Sequence, residues 1–283
     1  MHTVLRSATK EIVIGPDQPF CIVGERINPT GRKIFQEQLR AGDLSRINID
    51  VQEQVEGGAD MLDINMGVPL TDEADLLSRA IKLVQSRTDL PVCIDSSVVE
   101  ALDAGLAAYE GKALVNSVTG EQERLAEILP LVKRYGAAVI ALPNEEDEIP
   151  DDPRKRLEIA RKIIDIATGT YGIPIEDIVI DPLAMPIGAD STLVTKTLET
   201  IQLIRDEFGV NMTLGASNVS FGMPRRHVLG ATFLPMAMTC GLTSAIMDAR
   251  TPSIVEAVKA ADLLMGNDEW GAKWIAAHRA RQS

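Results

Sequence analysis

Short, almost continuously apolar runs alternate along the chain with longer segments in which apolar residues recur every three to four positions. Runs of the first kind are typical of strands buried on both faces of a parallel sheet, and the longer spacing is typical of helices that bury one face. We therefore predict eight strands, at 20–25, 60–65, 91–96, 113–117, 137–142, 178–182, 212–217 and 243–248.

Helices are predicted between these strands, for example over 72–87, where the apolar spacing follows the helical period. Local signals mark where some of them begin. Asp152 followed by Pro153 predicts an N-cap with proline at the first helical position. Ser97 with Glu100 predicts a capping box, in which each side chain bonds the backbone N–H of the other residue.

A strand followed by a helix, repeated eight times, predicts an α/β fold of the (β/α)8 TIM-barrel type that fills residues 1–283 as a single domain. A doubly wound open sheet is the alternative, but the chain lacks the glycine-rich turn of a dinucleotide-binding unit, which favours closure. Residues 1–19 are expected to form an extension, with a hairpin over 11–18 at the floor of the barrel. Residues 267–283 are expected to form a terminal helix outside the barrel.

Charge and composition exclude several classes of protein. The chain carries 41 acidic and 28 basic residues, and its formal net charge of −13 argues against nucleic-acid binding because a phosphate backbone would be repelled. No apolar run approaches the roughly 20 residues that span a bilayer, so no membrane association is expected. Cys21, Cys93 and Cys240 lie far apart in apolar surroundings, as expected of buried free thiols in a reducing cytoplasm. The histidines lack the spacing of a zinc site, and we predict no metal centre.

Polar side chains interrupt the apolar pattern where the predicted strands end. In a barrel of parallel strands these ends surround one mouth, where active sites of such folds lie. One such residue alone is often a helix cap or a turn residue, but a set dominated by carboxylates and amides predicts a ligand site. In strand order these residues are Glu25, Arg26 and Asn28; Asp63 and Asn65; Asp95; Asn116; Asn144; Asp181; Ser217 and Asn218; and Asp248.

The residue types indicate the chemistry of the ligand. A carboxylate accepts two parallel hydrogen bonds from a planar N–H edge, such as that of a 2-amino-4-oxopyrimidine ring, and an amide both donates and accepts. No histidine lies near a strand end and no lysine stands on a strand, which disfavours a Ser–His–Asp hydrolase and a Schiff-base aldolase. Clustered carboxylates also bind Mg²⁺, and the residues alone leave that alternative open.

Six segments follow one another between about Phe20 and about Leu264, namely GERINPTG at 24–31, DINMG at 63–67, CIDSS at 93–97, VNSVTGE at 115–121, IDPLAMP at 180–186 and GASNVSFG at 215–222. Together they resemble the pterin-binding methyltransferase family. That family includes the methyltetrahydrofolate:corrinoid methyltransferases, the folate module of cobalamin-dependent methionine synthase and, more distantly, dihydropteroate synthase. The segments after the second and seventh strands resemble the methyltransferase branch, because a dihydropteroate synthase carries a basic motif after its seventh strand.

The resemblance implies which residues bind the folate. Asp95, Asn116 and Asp181 match the positions that hold the edge of the pterin ring. Asn218 matches the catalytic asparagine that hydrogen-bonds the ring nitrogen carrying the methyl group. The same pocket is implied to include Gly215, Ser217 and Arg226, whereas Phe221 stands where some relatives carry a polar Gln or Asn.

The resemblance also implies the reaction and the partners. The expected activity is that of a methyltransferase acting between methyltetrahydrofolate, as substrate, and the cobalt of a corrinoid (cobalamin) on a separate partner protein. The corrinoid is expected to approach the mouth near Glu25, Arg26, Asn28, Asp63 and Asn65. A role in one-carbon or methyl-donor demethylation metabolism and a homodimeric state are implied too. The alternatives are a dihydropteroate synthase-like condensing enzyme and a folate-binding protein without transfer activity.

Overall fold

Most of the strands form one parallel sheet. The computed structural model describes residues 1–145 and 149–280. A separate antiparallel hairpin consists of β1 (Thr3–Arg6) and β2 (Glu11–Ile14). The large sheet has seven strands in the order β8-β7-β6-β5-β4-β3-β9. These strands are β3 (Cys21–Ile27), β4 (Met61–Asn65), β5 (Val92–Asp95), β6 (Leu114–Thr119), β7 (Ala138–Leu142), β8 (Ile178–Ile180) and β9 (Ser244–Met247).

Helices follow the parallel strands, as the alternating apolar pattern predicts. They are α1 (Lys33–Arg40), α2 (Ser45–Gly57), α3 (Glu73–Gln85), α4 (Val99–Ala108), α5 (Gln122–Tyr135), α6 (Pro153–Gly169), α7 (Leu193–Phe208), α8 (Arg226–Cys240), α9 (Pro252–Met265) and α10 (Ala272–Ala280). The buried stripes of α1 to α9 pack on the outer face of the curled sheet in one large apolar core. Within residues 1–145 and 149–280, no helix combines the length and the apolar character needed to cross a bilayer.

Seven of the eight predicted strands are confirmed, and the strand predicted at 212–217 is wrong as a regular strand. Met212 forms an isolated parallel bridge with Ile180, and Gly215 forms another with Ile246. The chain then turns at once, because the N–H of Asn218 donates to the carbonyl of Gly215 at 3.1 Å. The segment thus pairs with β8 at one end and with β9 at the other, but it is too short to form a regular ladder with either. The described strands form a curled half-barrel.

A small apolar cluster fills the inner face of the sheet near the amino-terminal ends of its strands. Leu5 and Ile14 of the hairpin are fully buried there against inward-facing residues such as Val23 and Met61. The hairpin expected at 11–18 therefore begins earlier, at Thr3. Because the hairpin covers the amino-terminal ends, the carboxyl ends of the strands form the accessible mouth.

The two helix-start signals have different outcomes. Asp152 accepts a hydrogen bond from the N–H of Arg154 at 2.9 Å at the start of α6, so the predicted cap is confirmed. The capping box at Ser97 is wrong, since α4 begins one residue later with Val98 as its N-cap. The hydroxyl of Ser96 accepts the N–H of Val98 at 3.0 Å and turns the chain there instead.

Candidate functional site

The register of β3 to β6 gathers five of the predicted site residues at the mouth. Asn65, Asp95 and Asn116 are paired neighbours on β4, β5 and β6. Glu25 on β3 pairs with Asp63 on β4. Asp63 lies two residues before Asn65, so this second pair lies deeper in the half-barrel on the same face of the sheet. Side chains alternate between the faces of a strand, so residues at these levels point to the same side of the sheet.

Hydrogen bonds from two amides connect these residues. Nδ2 of Asn65 donates to Oδ2 of Asp95 at 3.0 Å, and its Oδ1 accepts the N–H of Gly67 at 2.8 Å. Nδ2 of Asn116 donates to Oδ1 of Asp63 at 3.3 Å. Among the described residues, Oδ1 of Asp95 has no hydrogen-bond partner. This oxygen is therefore available to accept an N–H of a ligand.

Burial and mutual repulsion keep this carboxylate cluster from carrying its full charge. Asp63 is 1% exposed, and burial together with the charges of Asp95 and Glu25 raises its pKa well above the ordinary value. Burial raises the pKa of Asp95 to about 6. Burial and the charge of Asp95 raise the pKa of Glu25 to about 6. A cluster that is reluctant to ionise favours a ligand that brings N–H donors over one that brings negative charge.

Asp181 lies at the same end of the sheet, directly after β8 and three strands from Asp95. Its Oδ1 accepts the N–H of Leu183 at 2.7 Å, and burial raises its pKa to about 7 despite the nearby positive charge of Arg156. No hydrogen bond within the described part of the chain joins Asp181 to Asp95 or Asn116. A ligand that reaches both groups must therefore span the mouth.

Sequence reasoning missed Arg156, whose side chain is fully buried on α6. Nε donates to the carbonyl of Pro150 at 2.7 Å. Nη1 donates to the carbonyls of Pro182 and Leu183, both at 2.9 Å. This guanidinium thus joins the loop after Asp181 to the loop before α6. The sequence does contain a signal, because Arg156 falls on the apolar stripe of its helix, where a charge needs buried partners.

Asn218 lies on a loop, 215–226, that leads from the bridging segment to α8. A short 3-10 helix, Asn218–Ser220, leaves Ser217 and Asn218 exposed at the mouth. A Cβ atom at Gly215 would come within 2.9 Å of Nδ2 of Asn218. Glycine at this position therefore leaves room for the Asn218 amide.

Arg226 stabilises the shape of the 215–226 loop. Its Nη2 donates to the carbonyl of Ser217 at 2.8 Å, and its Nε donates to Oγ of Ser220 at 3.4 Å. Its guanidinium also lies 5.6 Å from the ring centroid of the exposed Phe221. Arg226 therefore supports the backbone that carries Asn218.

The end of β3 contributes Glu25, Arg26 and Asn28 to the mouth. Nδ2 of Asn28 donates to Oε1 of Glu25 at 3.3 Å, and its Oδ1 accepts the N–H of Thr30 at 2.9 Å. Nε of Arg26 is buried and has no hydrogen-bond partner among the described residues. These contacts orient Glu25 and leave one donor of Arg26 unsatisfied.

Asp248, at the end of the eighth predicted strand, accepts hydrogen bonds from two side chains of the protein. Nη2 of Arg250 donates to its Oδ2 at 2.7 Å, and Nε2 of Gln54 donates to its Oδ1 at 2.8 Å. Burial alone would raise the pKa of Asp248, but these hydrogen bonds hold it below the ordinary value. This carboxylate therefore links β9 to α2.

The Mg²⁺ alternative would require several oxygen ligands that converge on one point. Within residues 1–145 and 149–280, no group of three or more His, Cys, Asp or Glu side chains is arranged to hold a metal ion. The amides of Asn65 and Asn116 direct their N–H groups at the carboxylates. An amide that shares a cation with a carboxylate would turn its oxygen toward that cation.

The sequence that builds this mouth matches a known protein family. The model described as pterin binding enzyme matches residues 24–248, from the middle of β3 to the residue after β9. The chain belongs to this pterin-binding enzyme family, and the resemblance carried by the strand-end motifs is confirmed.

Two kinds of curated relative are similar to the chain. It is 34% identical over 251 residues to a methionine synthase of Mycobacterium tuberculosis, covering 84% of this chain and 21% of that protein. It is 29% identical over 264 residues to a methylcorrinoid:tetrahydrofolate methyltransferase of Eubacterium limosum, covering 91% of this chain and 96% of that protein. The chain thus spans about a fifth of the length of the methionine synthase and nearly all of the second relative.

Solved structures of dihydropteroate synthases share the fold. The enzyme of Yersinia pestis superposes with a TM-score of 0.68 at 14% identity, covering 94% of this chain and 100% of that chain. The enzyme of Xanthomonas albilineans with 4-aminobenzoic acid gives a TM-score of 0.69 at 18% identity, covering 93% and 98%. At these identities the likeness concerns the fold alone.

Proposed function

We propose that the chain transfers a methyl group between methyltetrahydrofolate and the cobalt of a corrinoid carried by a partner protein. The observation that carries this proposal is the mouth lined with hydrogen-bond acceptors. Asp95 ends β5, Asn116 pairs with it on β6, and Asp181 directly follows β8. The relative from Eubacterium limosum, which aligns over 91% of this chain, bears this activity in its name.

The ring edge of a folate suits these three side chains. Its 2-amino-4-oxopyrimidine part offers adjacent N–H donors, which a carboxylate accepts in parallel, and a carbonyl, which an amide can satisfy. Oδ1 of Asp95 is available for such a bond, and Oδ2 is already held by Asn65. Bringing N–H groups to Asp95 and Asp181 would also favour their charged forms, which burial disfavours in the free protein.

Asn218 is the residue that we assign to the reacting nitrogen. When methyl moves from folate to cobalt, the N–CH₃ bond breaks and the nucleophilic low-valent cobalt supplies the electron pair of the new Co–C bond. The nitrogen keeps its former bonding pair and takes a proton from solvent. In the reverse direction the nitrogen returns that proton to solvent and attacks the methyl group, and the cobalt keeps the electron pair of the Co–C bond. An amide is too weak an acid to supply the proton, so Asn218 orients the ring and stabilises the protonated nitrogen in the transition state.

The partner's corrinoid is proposed to approach the exposed side of the mouth. Glu25, Arg26, Asn28 and Asn65 are partly exposed there. Asp63 was expected to join them, but its 1% exposure leaves it no surface to offer, and we assign it to orienting Asn116. The enzyme then acts chiefly by aligning two reactants, which can supply much of a rate enhancement.

We also infer that the curled sheet closes as a (β/α)8 barrel through the segment 211–216. The N–H of Thr213 donates to the carbonyl of Ile180 at 3.0 Å, and the N–H of Ile246 donates to the carbonyl of Leu214 at 2.9 Å. Backbone hydrogen bonds on both sides support the assignment of this segment to the seventh position, between β8 and β9. Closure would bring Asn218 to the rim opposite Asp95.

A cytoplasmic homodimer is the proposed state of the protein. The three cysteines are buried free thiols, which supports a reducing compartment. The apolar segment 232–242 contributes Phe233 and Leu234 to the core, whereas Met236 is 45% exposed and would be available to a second copy. Sedimentation equilibrium would give the oligomeric state directly.

The proposed reaction is tested by mixing the purified protein with methyltetrahydrofolate and reduced cobalamin and following the visible spectrum. Methylcobalamin should form, and tetrahydrofolate with methylcobalamin should drive the reverse reaction. No transfer in either direction would contradict the proposal. Condensation of a pterin pyrophosphate with p-aminobenzoate would favour a dihydropteroate synthase, and tight folate binding without transfer would favour a binding protein.

A further inference from the structure

A cavity of about 470 Å³ lies beside the mouth, between the end of β3, α1 and the start of α2. We call it the α1 cavity. Four of its lining side chains are cationic, namely Arg26, Arg32, Lys33 and Arg46. Such a concentration of positive charge is unexpected in a chain whose formal net charge is −13.

One buried carboxylate serves two of these cations. Oδ2 of Asp50 accepts from Nη1 of Arg32 at 2.8 Å, and Oδ1 accepts from Nε of Arg46 at 3.0 Å, while Asp50 itself is fully buried. The guanidinium of Arg32 also lies 4.6 Å from the ring centroid of Phe35. These contacts fix Arg32 in place but leave the charge of the cavity positive.

Arg26 and the start of α1 point to an anion as the ligand. Nε of Arg26 is buried without a hydrogen-bond partner among the described residues. Burial, and then the charges of Arg32 and Arg250, lower the pKa of Arg26 against the opposite effects of Asp248 and Asp50. The helix α1 begins without a side-chain cap and without an acidic residue in its first turn. An anion in the cavity would meet the positive charge of Arg26 and complement the dipole of α1.

The order of the strands indicates which anion reaches the cavity. In the proposed site the ring edge is held at β5 and β6, in the middle of the sheet, and the methyl-bearing nitrogen lies by Asn218, next to β9. The p-aminobenzoyl-glutamate tail of a folate leaves the ring beside that nitrogen. The tail would therefore emerge over β9, which is adjacent to β3 and to the α1 cavity.

We propose that the α1 cavity binds the carboxylates of the folate's glutamate tail, with Arg26 and Lys33 as the cations that contact them. This inference rests on the proposed function, since it gives the tail of the same substrate a site of its own. A site of this kind makes the protein selective for folates that carry several glutamates, because each added glutamate brings one more carboxylate.

The test compares the affinities of tetrahydrofolate monoglutamate and pentaglutamate by titration calorimetry. The wild-type protein should bind the pentaglutamate roughly threefold to tenfold more tightly, which is what one or two partly exposed ion pairs provide. Salt at about 0.5 M should reduce this preference, since exposed charges are screened. Lys33→Gln and Arg26→Gln should each reduce the ratio of the two affinities. Arg40→Gln, a matched loss of charge at the other end of α1, should keep it.

Three outcomes would overturn the inference. A wild-type protein that binds both folates equally would remove the tail site and leave the proposed function intact. A preference that persists in both variants would place the tail elsewhere on the molecule. A protein that binds neither folate would overturn the proposed function, and the inference with it. Because Lys33 is exposed, Lys33→Gln should fold normally and keep the comparison valid even if Arg26→Gln does not.

Discussion

Asn65 and Asp95 face each other across neighbouring strands, and Nδ2 of the asparagine donates to Oδ2 of the aspartate at 3.0 Å. Because Oδ1 of Asn65 accepts the N–H of Gly67, the amide is oriented before any ligand arrives. This arrangement leaves the second oxygen of Asp95 as an acceptor in a fixed position. Preorganised acceptors of this kind are what recognition of a planar N–H edge requires.

Asp95→Asn should weaken the binding of methyltetrahydrofolate by about 10- to 100-fold, because a hydrogen bond to a charged group contributes about 1.5–3 kcal/mol. Titration calorimetry measures the change. Asp165→Asn, an equivalent substitution at an exposed position of α6, should bind as the wild type does. Equal affinities for Asp95→Asn and the wild type would exclude Asp95 from the ring site.

Folate affinity should fall as the pH is lowered from 8 to 5. The pKa of Asp181 is about 7 and that of Asp95 about 6, so both carboxyls take up a proton in this range and lose acceptor capacity. Affinity measured at half-unit intervals would give the profile. In Asp181→Asn the part of the decline near pH 7 should disappear, and an unchanged profile in that variant would contradict the assignment.

Asp181→Asn should raise the melting temperature at pH 8 and leave it nearly unchanged at pH 4. The folded-state pKa of Asp181, about 7, exceeds the ordinary value of 3.8, so the folded state holds a proton that the unfolded state has released. The stability from this group is present at low pH and is lost as the pH rises through about 7. Differential scanning fluorimetry at the two pH values tests this. Asp190→Asn is the control, because hydrogen bonds lower the pKa of Asp190 and removing its charge should give no gain at pH 8.

Arg156→Met should lower the free energy of unfolding by about 3 kcal/mol or more, because the carbonyls of Pro150, Pro182 and Leu183 lose a buried, charged donor. Urea denaturation gives the value. The matched variant Arg154→Met, at an exposed position of the same helix, should change stability by no more than about 0.5 kcal/mol. A similar loss in both variants would mean that the buried contacts of Arg156 contribute little.

Asn218→Ala should reduce the rate of methyl transfer by about 100-fold, the usual effect of removing one group that stabilises developing charge. Folate affinity should remain within a few fold, because the ring edge is held by other residues. Single-turnover kinetics and titration calorimetry separate the two quantities. Asn267→Ala, beyond α9 and away from the mouth, should change neither, and an equal loss of rate and affinity at Asn218 would assign it to binding.

The sequence predicted the parts of the fold and site that depend on local pattern. Buried parallel strands have nearly continuous apolar runs, so β3 to β9 could be located. The polar residues at their ends, such as Asn65 and Asp95, could be assigned to one mouth. The Asp152 cap is local as well and was confirmed.

Features that depend on tertiary contacts could not be predicted in the same way. The run at 212–217 has the composition of a strand, but the turn at Asn218 ends its pairing early. Ser97 has the spacing of a capping residue, but Ser96 takes the N–H of Val98. The partners of Arg156 are backbone carbonyls from two other loops, and no local pattern identifies them.

The most direct test of the central claim is a crystal structure of the protein with methyltetrahydrofolate. We expect the pterin edge to lie against Asp95, Asn116 and Asp181. The methyl-bearing nitrogen should lie beside the amide of Asn218, with the methyl group facing the open side of the mouth. A folate bound elsewhere, or a ring in the mouth that contacts none of these three residues, would contradict it.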